Sequence, residues 1–209
     1  MKLILNKKYN PLFSSDARYF IITGGRGSGK SFAVTVFLTL LTMTKGIRIL
    51  FTRYTMTSAH LSIIPEFLEK IGLLGFDEVF SINKAEVVNT SNQSDILFRG
   101  IRTSAGNQTA SLKSLQGIST WVLDEAEELV DENIFDTIDL SIREKNIHNR
   151  VVLILNPVTK EHWIYKRFFE DKGVEGGFNG FKDNVCYIHT NYRDNIENLS
   201  QSFLERIKS

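Results

Sequence analysis

Apolar residues change their spacing repeatedly along the 209-residue chain, and each change marks an element. Tyr19 to Thr23 reads as a strand, and the apolar stretch from Phe32 to Leu38 behind it predicts a helix. Lys45-Gly46 reads as a basic last turn and a C-cap, followed by a second strand over Ile47 to Thr52. Strand, helix and strand make a right-handed βαβ unit. Leu61, Ile64, Leu68 and Ile71 recur at helical spacing around Pro65, which predicts one kinked helix or two short ones between Ser58 and Ile71. From Val79 to Arg99 the period shortens: Val79 to Ile82, Glu86 to Val88 and Asp95 to Phe98 predict a small antiparallel insertion, and Gly100 to Thr109 a polar, mobile loop. Thr120 to Leu123 is a buried strand, and Val151 to Leu155 is hydrophobic throughout, as expected of a central parallel strand covered on both faces. A helix over Asn133 to Arg143 separates those two strands. A helix over His162 to Glu170, a glycine-rich loop, a strand over Val185 to Thr190 and a terminal helix from Ser200 complete the pattern. The alternation is that of one α/β domain over residues 1–209.

Between the first strand and the first helix lies Gly24-Gly25-Arg26-Gly27-Ser28-Gly29-Lys30-Ser31, which has Walker A spacing. Glycine is needed where backbone wraps closely round a triphosphate and where φ turns positive. The loop opens a helix whose free N–H groups and dipole favour anions. Lys30 is expected to pair with the β- and γ-phosphates of ATP, and Ser31 to ligate Mg²⁺. Tyr9 and Phe13, ahead of the first strand, are placed either to stack on the adenine ring or to form a hydrophobic flap over the sheet edge.

A second polar signal ends the strand at Thr120 to Leu123. Asp124 and Glu125 form a Walker B element: Asp124 is expected to reach Mg²⁺ or its water shell, and Glu125 to polarise the attacking water. Glu127 and Glu128 read in part as acids that open the next helix. Asn156-Pro157 halts the following strand and puts an amide beside the γ-phosphate position, which favours a sensor over an Asx turn. Small-molecule kinases rarely set an acid directly after the Walker B aspartate, because an activated water would waste ATP. The pattern therefore predicts an ATP-hydrolysing P-loop NTPase of the RecA/ASCE-like type: three layers, a mostly parallel central sheet and a small antiparallel β insertion. Transition-state charge on the γ-phosphoryl calls for a further cation. Arg26, inside the cradle, is expected to contact phosphate, and Arg53, Arg99, Arg102 and Arg143 are candidates for an arginine supplied in trans by a neighbouring copy.

Composition narrows the classes further. A hydrophobic fraction of 42% and a charged fraction of 23% are those of an ordinary globular chain, and a net charge of +1 gives no global basic field. DNA contact would then rest on local charge, with Lys84, Lys113, Lys145 and Arg150 as candidates. The lone Cys186 excludes an internal disulfide and any Cys-rich zinc cluster, and His162 and His189 read as loop or surface residues. No apolar run is long enough to span a bilayer, and the N-terminus lacks the features of a signal peptide.

From Tyr9 to about Asn195 the chain resembles the N-terminal packaging-ATPase domain of tailed-phage large terminases. The resemblance is carried by Gly24 to Ser31, Phe98-Arg99-Gly100, Lys113 to Gly117, Val122 to Glu128, Ser141-Ile142-Arg143 and Leu155-Asn156-Pro157 followed by His162-Trp163. It implies a motor that couples ATP hydrolysis to moving double-stranded viral DNA through a portal into a procapsid. It also implies a pentameric ring, a small terminase subunit as partner, a coupling role for Asn156, an arginine in the P-loop acting in cis, and action in the host cytoplasm rather than in the mature virion. The family's RNase H-like nuclease domain has no counterpart in this sequence, so these residues are not expected to cut DNA. A cellular helicase or AAA-type ATPase, and a nucleotide-dependent binding switch, are the competing classes.

Overall fold

The computed structural model describes residues 3–56, 59–103, 106–107 and 109–208. In chain order, α1 (Asn10–Ser14) precedes β1 (Tyr19–Thr23), and α2 (Lys30–Leu41) leads to β2 (Arg48–Thr55). Next come α3 (Ala59–Ser62) and α4 (Ile64–Leu73), separate because Pro65 sits in the first turn of α4, where a missing N–H costs no helical bond. β3 (Phe80–Ile82), β4 (Glu86–Asn89), β5 (Asp95–Thr103), β6 (Gly106–Asn107) and α5 (Thr109–Lys113) lie before β7 (Thr120–Asp124). The remaining elements are α6 (Glu132–Asp139), β8 (Arg150–Leu155), α7 (Trp163–Tyr165), β9 (Gly180–Lys182), β10 (Val185–His189) and α8 (Gln201–Lys208).

Among the described residues the strands form one ten-stranded sheet in the order β3-β4-β5-β2-β7-β8-β1-β10-β9, with β6 paired on β5. From β5 to β10 along that order every pairing is parallel, so the C-terminal ends of those strands gather on one edge. Apolar layers cover both faces. One packs Phe37, Phe67 and Ile71 of the helices against Phe51, Phe98, Val152 and Ile154; the other packs Phe135, Trp163 and Phe168 against Trp121, Val151, Leu153 and Leu155. The unbroken hydrophobicity of β8 follows, since its alternate residues enter opposite layers. This is the three-layer arrangement expected of a P-loop NTPase. Among the described residues no helix is long and apolar enough to cross a membrane.

The structure corrects two stretches. The three runs of the antiparallel insertion do pair antiparallel, β3 with β4 and β4 with β5, but β5 also pairs in parallel with β2 and so belongs to the central sheet as well. β5 also runs on through Gly100 to Thr103, where the sequence reads as a loop, because buried Ile101 extends the apolar series past the charged Arg99. Ser104, Ala105 and Gln108 of that expected loop lie outside the described residues. The helix expected to reach Arg143 ends at Asp139. There Arg18 donates to the Asp139 carboxylate (2.5 Å) and the Ile142 carbonyl (2.8 Å), and the Tyr19 hydroxyl donates to Asp139 (2.7 Å), tying the turn to the start of β1.

Trp121 locks the second layer to the sheet. It is fully buried, donates its indole N–H to Thr52 Oγ1 at 3.0 Å and packs against Phe135 with ring centroids 5.1 Å apart. Trp121→Ala is expected to lower the unfolding free energy by about 3–5 kcal/mol in urea titrations. A loss under about 1 kcal/mol would contradict the packing described.

Candidate active site

A cleft of about 430 Å³ opens on the C-terminal edge of the parallel strands, lined by the loop from Gly25 to Ser31 together with Arg53, Asp124, Glu125, Glu127 and Asn156. The sheet register assembles it. Thr23 lies opposite Leu155, Asp124 opposite Ile154, and Arg53 opposite Asp124, so residues distant in sequence end level with one another. The P-loop leaves β1 and enters α2 through Gly29, which is left-handed (φ 83°, ψ 9°). Gly24 is needed for close approach, since a β-carbon there would run into the Thr190 carbonyl oxygen. Ser28 Oγ donates to the Gly25 carbonyl at 2.8 Å and tightens the turn.

Lys30 folds back over this loop. Its ammonium donates to the carbonyls of Gly24 and Gly25, to Ser28 Oγ (3.4 Å) and, more distantly, to Asn156 Oδ1 (3.5 Å). Burial lowers its pKa from the ordinary lysine value, with Glu127 and Asp124 pulling the other way.

Asp124 is 4% exposed and does not face the cleft unpartnered. Arg53 Nε and Nη2 both reach its Oδ2, at 2.8 and 2.7 Å. Glu125 follows in the left-handed region (φ 53°, ψ 45°), a conformation costing about 1–2 kcal/mol for a residue with a β-carbon. Its carboxylate, 48% exposed, lies 3.8 Å from Arg53. Burial raises the Glu125 pKa; Arg53 opposes that shift and Asp124 adds to it.

Asn156 and Glu127 meet directly: Asn156 Nδ2 donates to Glu127 Oε1 at 2.6 Å. Glu127 lies in a single 3₁₀ turn, Ala126–Glu128, rather than at the head of a helix, and its backbone carbonyl sits 3.1 Å from His162 Nε2. His162 is thus a buttress of this turn and a cap of α7, not a loose loop histidine.

The remaining expected residues are placed in different ways. Tyr9 is 2% exposed, with its ring in the core and its hydroxyl bridging the Ser28 carbonyl (3.2 Å) and Thr190 Oγ1 (2.8 Å), so it braces the P-loop from behind and presents no open face for a base. Phe13 packs edge-on against Phe37 (5.3 Å) and does not line the cleft. Arg53, one of the four candidates for a finger in a neighbouring copy, pairs with Asp124 of its own chain. Arg99 is held by the Phe98 carbonyl at 2.8 Å. Arg26 lines the cleft and is exposed; Arg102, in β5 between β2 and β6, is exposed too. Arg143 is exposed beside Ile142, which Arg18 ties to the opposite, N-terminal edge of the sheet. Arg150 is half-buried over the Phe37 ring and its pKa is pushed down to about 10 by burial; Lys84, Lys113 and Lys145 are exposed.

Sequence reasoning missed a second support of the loop. Asn195 Nδ2 donates to the Gly27 carbonyl at 2.9 Å, and Leu199 and Phe203 pack so close over Gly27 that a β-carbon there would lie 2.7 Å from the Phe203 ring. No local motif marks these residues.

A sequence model of the family described as "Phage terminase large subunit" matches residues 16–209. The chain belongs to that family. The terminase large subunit of Bacillus phage SPP1 is 23% identical over 224 residues, covering 98% of this chain and 50% of that protein. The large terminase of a thermophilic bacteriophage superposes with a TM-score of 0.74 at 14% identity, over 99% of this chain and 50% of its own. Structures of that terminase include complexes with ADP and with ATP-γ-S. The N-terminal domain of the DNA packaging ATPase of bacteriophage phi29 gives a TM-score of 0.65 at 15% identity, over 90% of this chain and 96% of its own. The terminase chain therefore spans about half the length of the SPP1 and thermophilic-phage relatives.

The Arg53–Asp124 pair yields a direct test. Removing the guanidinium alone strands a buried carboxylate, so Arg53→Met is expected to cost about 3–5 kcal/mol of unfolding free energy, and Asp124→Asn in the same chain to restore part of it. Equal losses that simply add would show that the two groups do not interact.

Proposed function

We propose that this terminase chain hydrolyses ATP to drive double-stranded viral DNA into a procapsid. The convergence of Lys30, Asp124, Glu125 and Asn156 on one cleft carries the reading. Its relatives support it: the phi29 protein is described as a DNA packaging ATPase, and the thermophilic-phage terminase has been solved with ADP and with ATP-γ-S. The P-loop N–H groups and Lys30 hold the β- and γ-phosphates; Glu125, its pKa raised by burial, takes the proton of the attacking water; Asn156 senses the γ-phosphate. Among the described residues no group of three or more His, Cys, Asp or Glu is arranged to hold a metal. Ser31 and Asp124, two hard oxygen donors, instead suit Mg²⁺, which keeps most of its coordination in water and substrate phosphate. When bound, the ion neutralises charge between the β- and γ-phosphates.

Arg26 positions phosphate in cis, and Arg99, Arg102 or Arg143 completes the site of a neighbouring copy in a ring, taken as pentameric from the family. Double-stranded DNA, the portal of the procapsid and a small terminase subunit are the partners, and the host cytoplasm the place of action, with docking on the procapsid only during packaging. We assign residues 1–209 the motor step and no nuclease step.

Two measurements test this. Lys30→Ala is expected to abolish ATP turnover with the fold intact, whereas Glu125→Gln keeps nucleotide binding and loses about 10²–10⁴-fold in rate. A Glu125→Gln protein turning over ATP at the wild-type rate would overturn the base assignment, and a wild type that binds ATP without turnover would point to a switch. The rate per subunit is expected to rise with protein concentration; a fast, concentration-independent rate that collapses in Arg26→Ala would overturn the trans arginine.

A further inference from the structure

The orientation of the Asn156 amide is dictated by its neighbours. A carboxylate lies on one side and an ammonium on the other, so Nδ2 faces Glu127 (2.6 Å) and Oδ1 faces Lys30 (3.5 Å). On the Lys30 side, where a γ-phosphate would sit, the amide therefore presents an acceptor. Phosphate oxygen is also an acceptor, and the two repel. To bring Nδ2 round to that phosphate the amide turns over, which breaks the charge-assisted bond to Glu127 and turns Oδ1 onto the carboxylate. Glu127 is poorly tied in other respects. Its Oε2 is buried and has no hydrogen-bond partner among the described residues, and the contact from His162 goes to its backbone carbonyl, fixing the turn but not the side chain.

Resting on the reading of the cleft as an ATP site, we propose that Glu127 is a positioning residue that competes with the γ-phosphate for the Asn156 amide. It holds the amide in the orientation suited to a cleft without a γ-phosphate, and ATP must displace it. ADP makes no such demand. Glu127 thus lowers affinity for the triphosphate selectively, and after hydrolysis it draws Asn156 back and favours departure of the cleaved phosphate. The role is separate from that of Glu125, which acts on the attacking water.

The test is the affinity of the folded chain for ATP-γ-S and for ADP, each with Mg²⁺, by titration calorimetry. Loss of a hydrogen bond to a charged group corresponds to about tenfold, so Glu127→Ala is expected to raise the ratio of ATP-γ-S to ADP affinity by about that factor, with ADP affinity changing less than about twofold. Glu127→Gln keeps the size of the side chain and can present either end of its amide to either orientation of Asn156, so it should raise the ratio as well. In an Asn156→Ala background neither change should move the ratio. A merely structural role would shift both nucleotides alike and lower the melting temperature. An unchanged ratio in both variants, or the same rise in the Asn156→Ala background, overturns the competition while leaving the ATP-site reading in place. A wild type that binds neither nucleotide overturns both.

Discussion

The parallel register of β2, β7, β8 and β1 is the constraint on which the rest depends. These strands are covered by apolar layers on both faces, and a slip by one residue would turn every core side chain to the wrong layer. Hydrophobic packing therefore fixes where each strand ends, and the polar residues just past those ends arrive together as a consequence. Arg53 meets Asp124 because the strands beneath them are in register, not because a buried ion pair pulls them in. Taking two such charges out of water contributes little net stability by itself.

Two polar sets share this edge, and they have the same logic. Asp124 is held by Arg53, and the Asn156 amide by Glu127, so these two groups read as meeting the ligand are occupied by residues of their own chain. Lys30 likewise rests on the carbonyls of the loop that would cradle phosphate. Binding then exchanges one set of charge-assisted bonds for another. This makes the cleft responsive to the charge of what enters it.

Much of this was legible in the sequence, for physical reasons that can be named. The placement of Gly24 to Ser31, Asp124 and Asn156 at the strand ends was readable because each joins a short polar signal to an apolar run, and the run fixes where the strand stops. β5 was misread because Arg99 and Arg102 interrupt its apolar pattern, although Ile101 between them is fully buried. Tyr9 read equally well as an adenine-stacking ring or as a hydrophobic flap, but a tyrosine that buries its ring also needs a partner for its hydroxyl, and Thr190 supplies one from 181 residues away. The Arg53–Asp124 contact spans 71 residues and depends on strand order, and Phe203 over Gly27 on how the chain returns to the P-loop after β10; no local spacing encodes either. Glu127 was visible as a charge, but its role could not be told from that of a helix-opening acid until the 3₁₀ turn placed it against Asn156.

The central claim is that nucleotide phosphate enters this cleft by displacing bonds the protein makes to itself. A crystal structure of the chain with ATP-γ-S and Mg²⁺ tests it most directly. The account predicts the γ-phosphate group beside Lys30, the Lys30 ammonium withdrawn from the Gly24 and Gly25 carbonyls, and Asn156 Nδ2 turned from Glu127 to phosphate oxygen. A triphosphate bound there with the Asn156–Glu127 hydrogen bond and the Lys30 contacts all unchanged would contradict it.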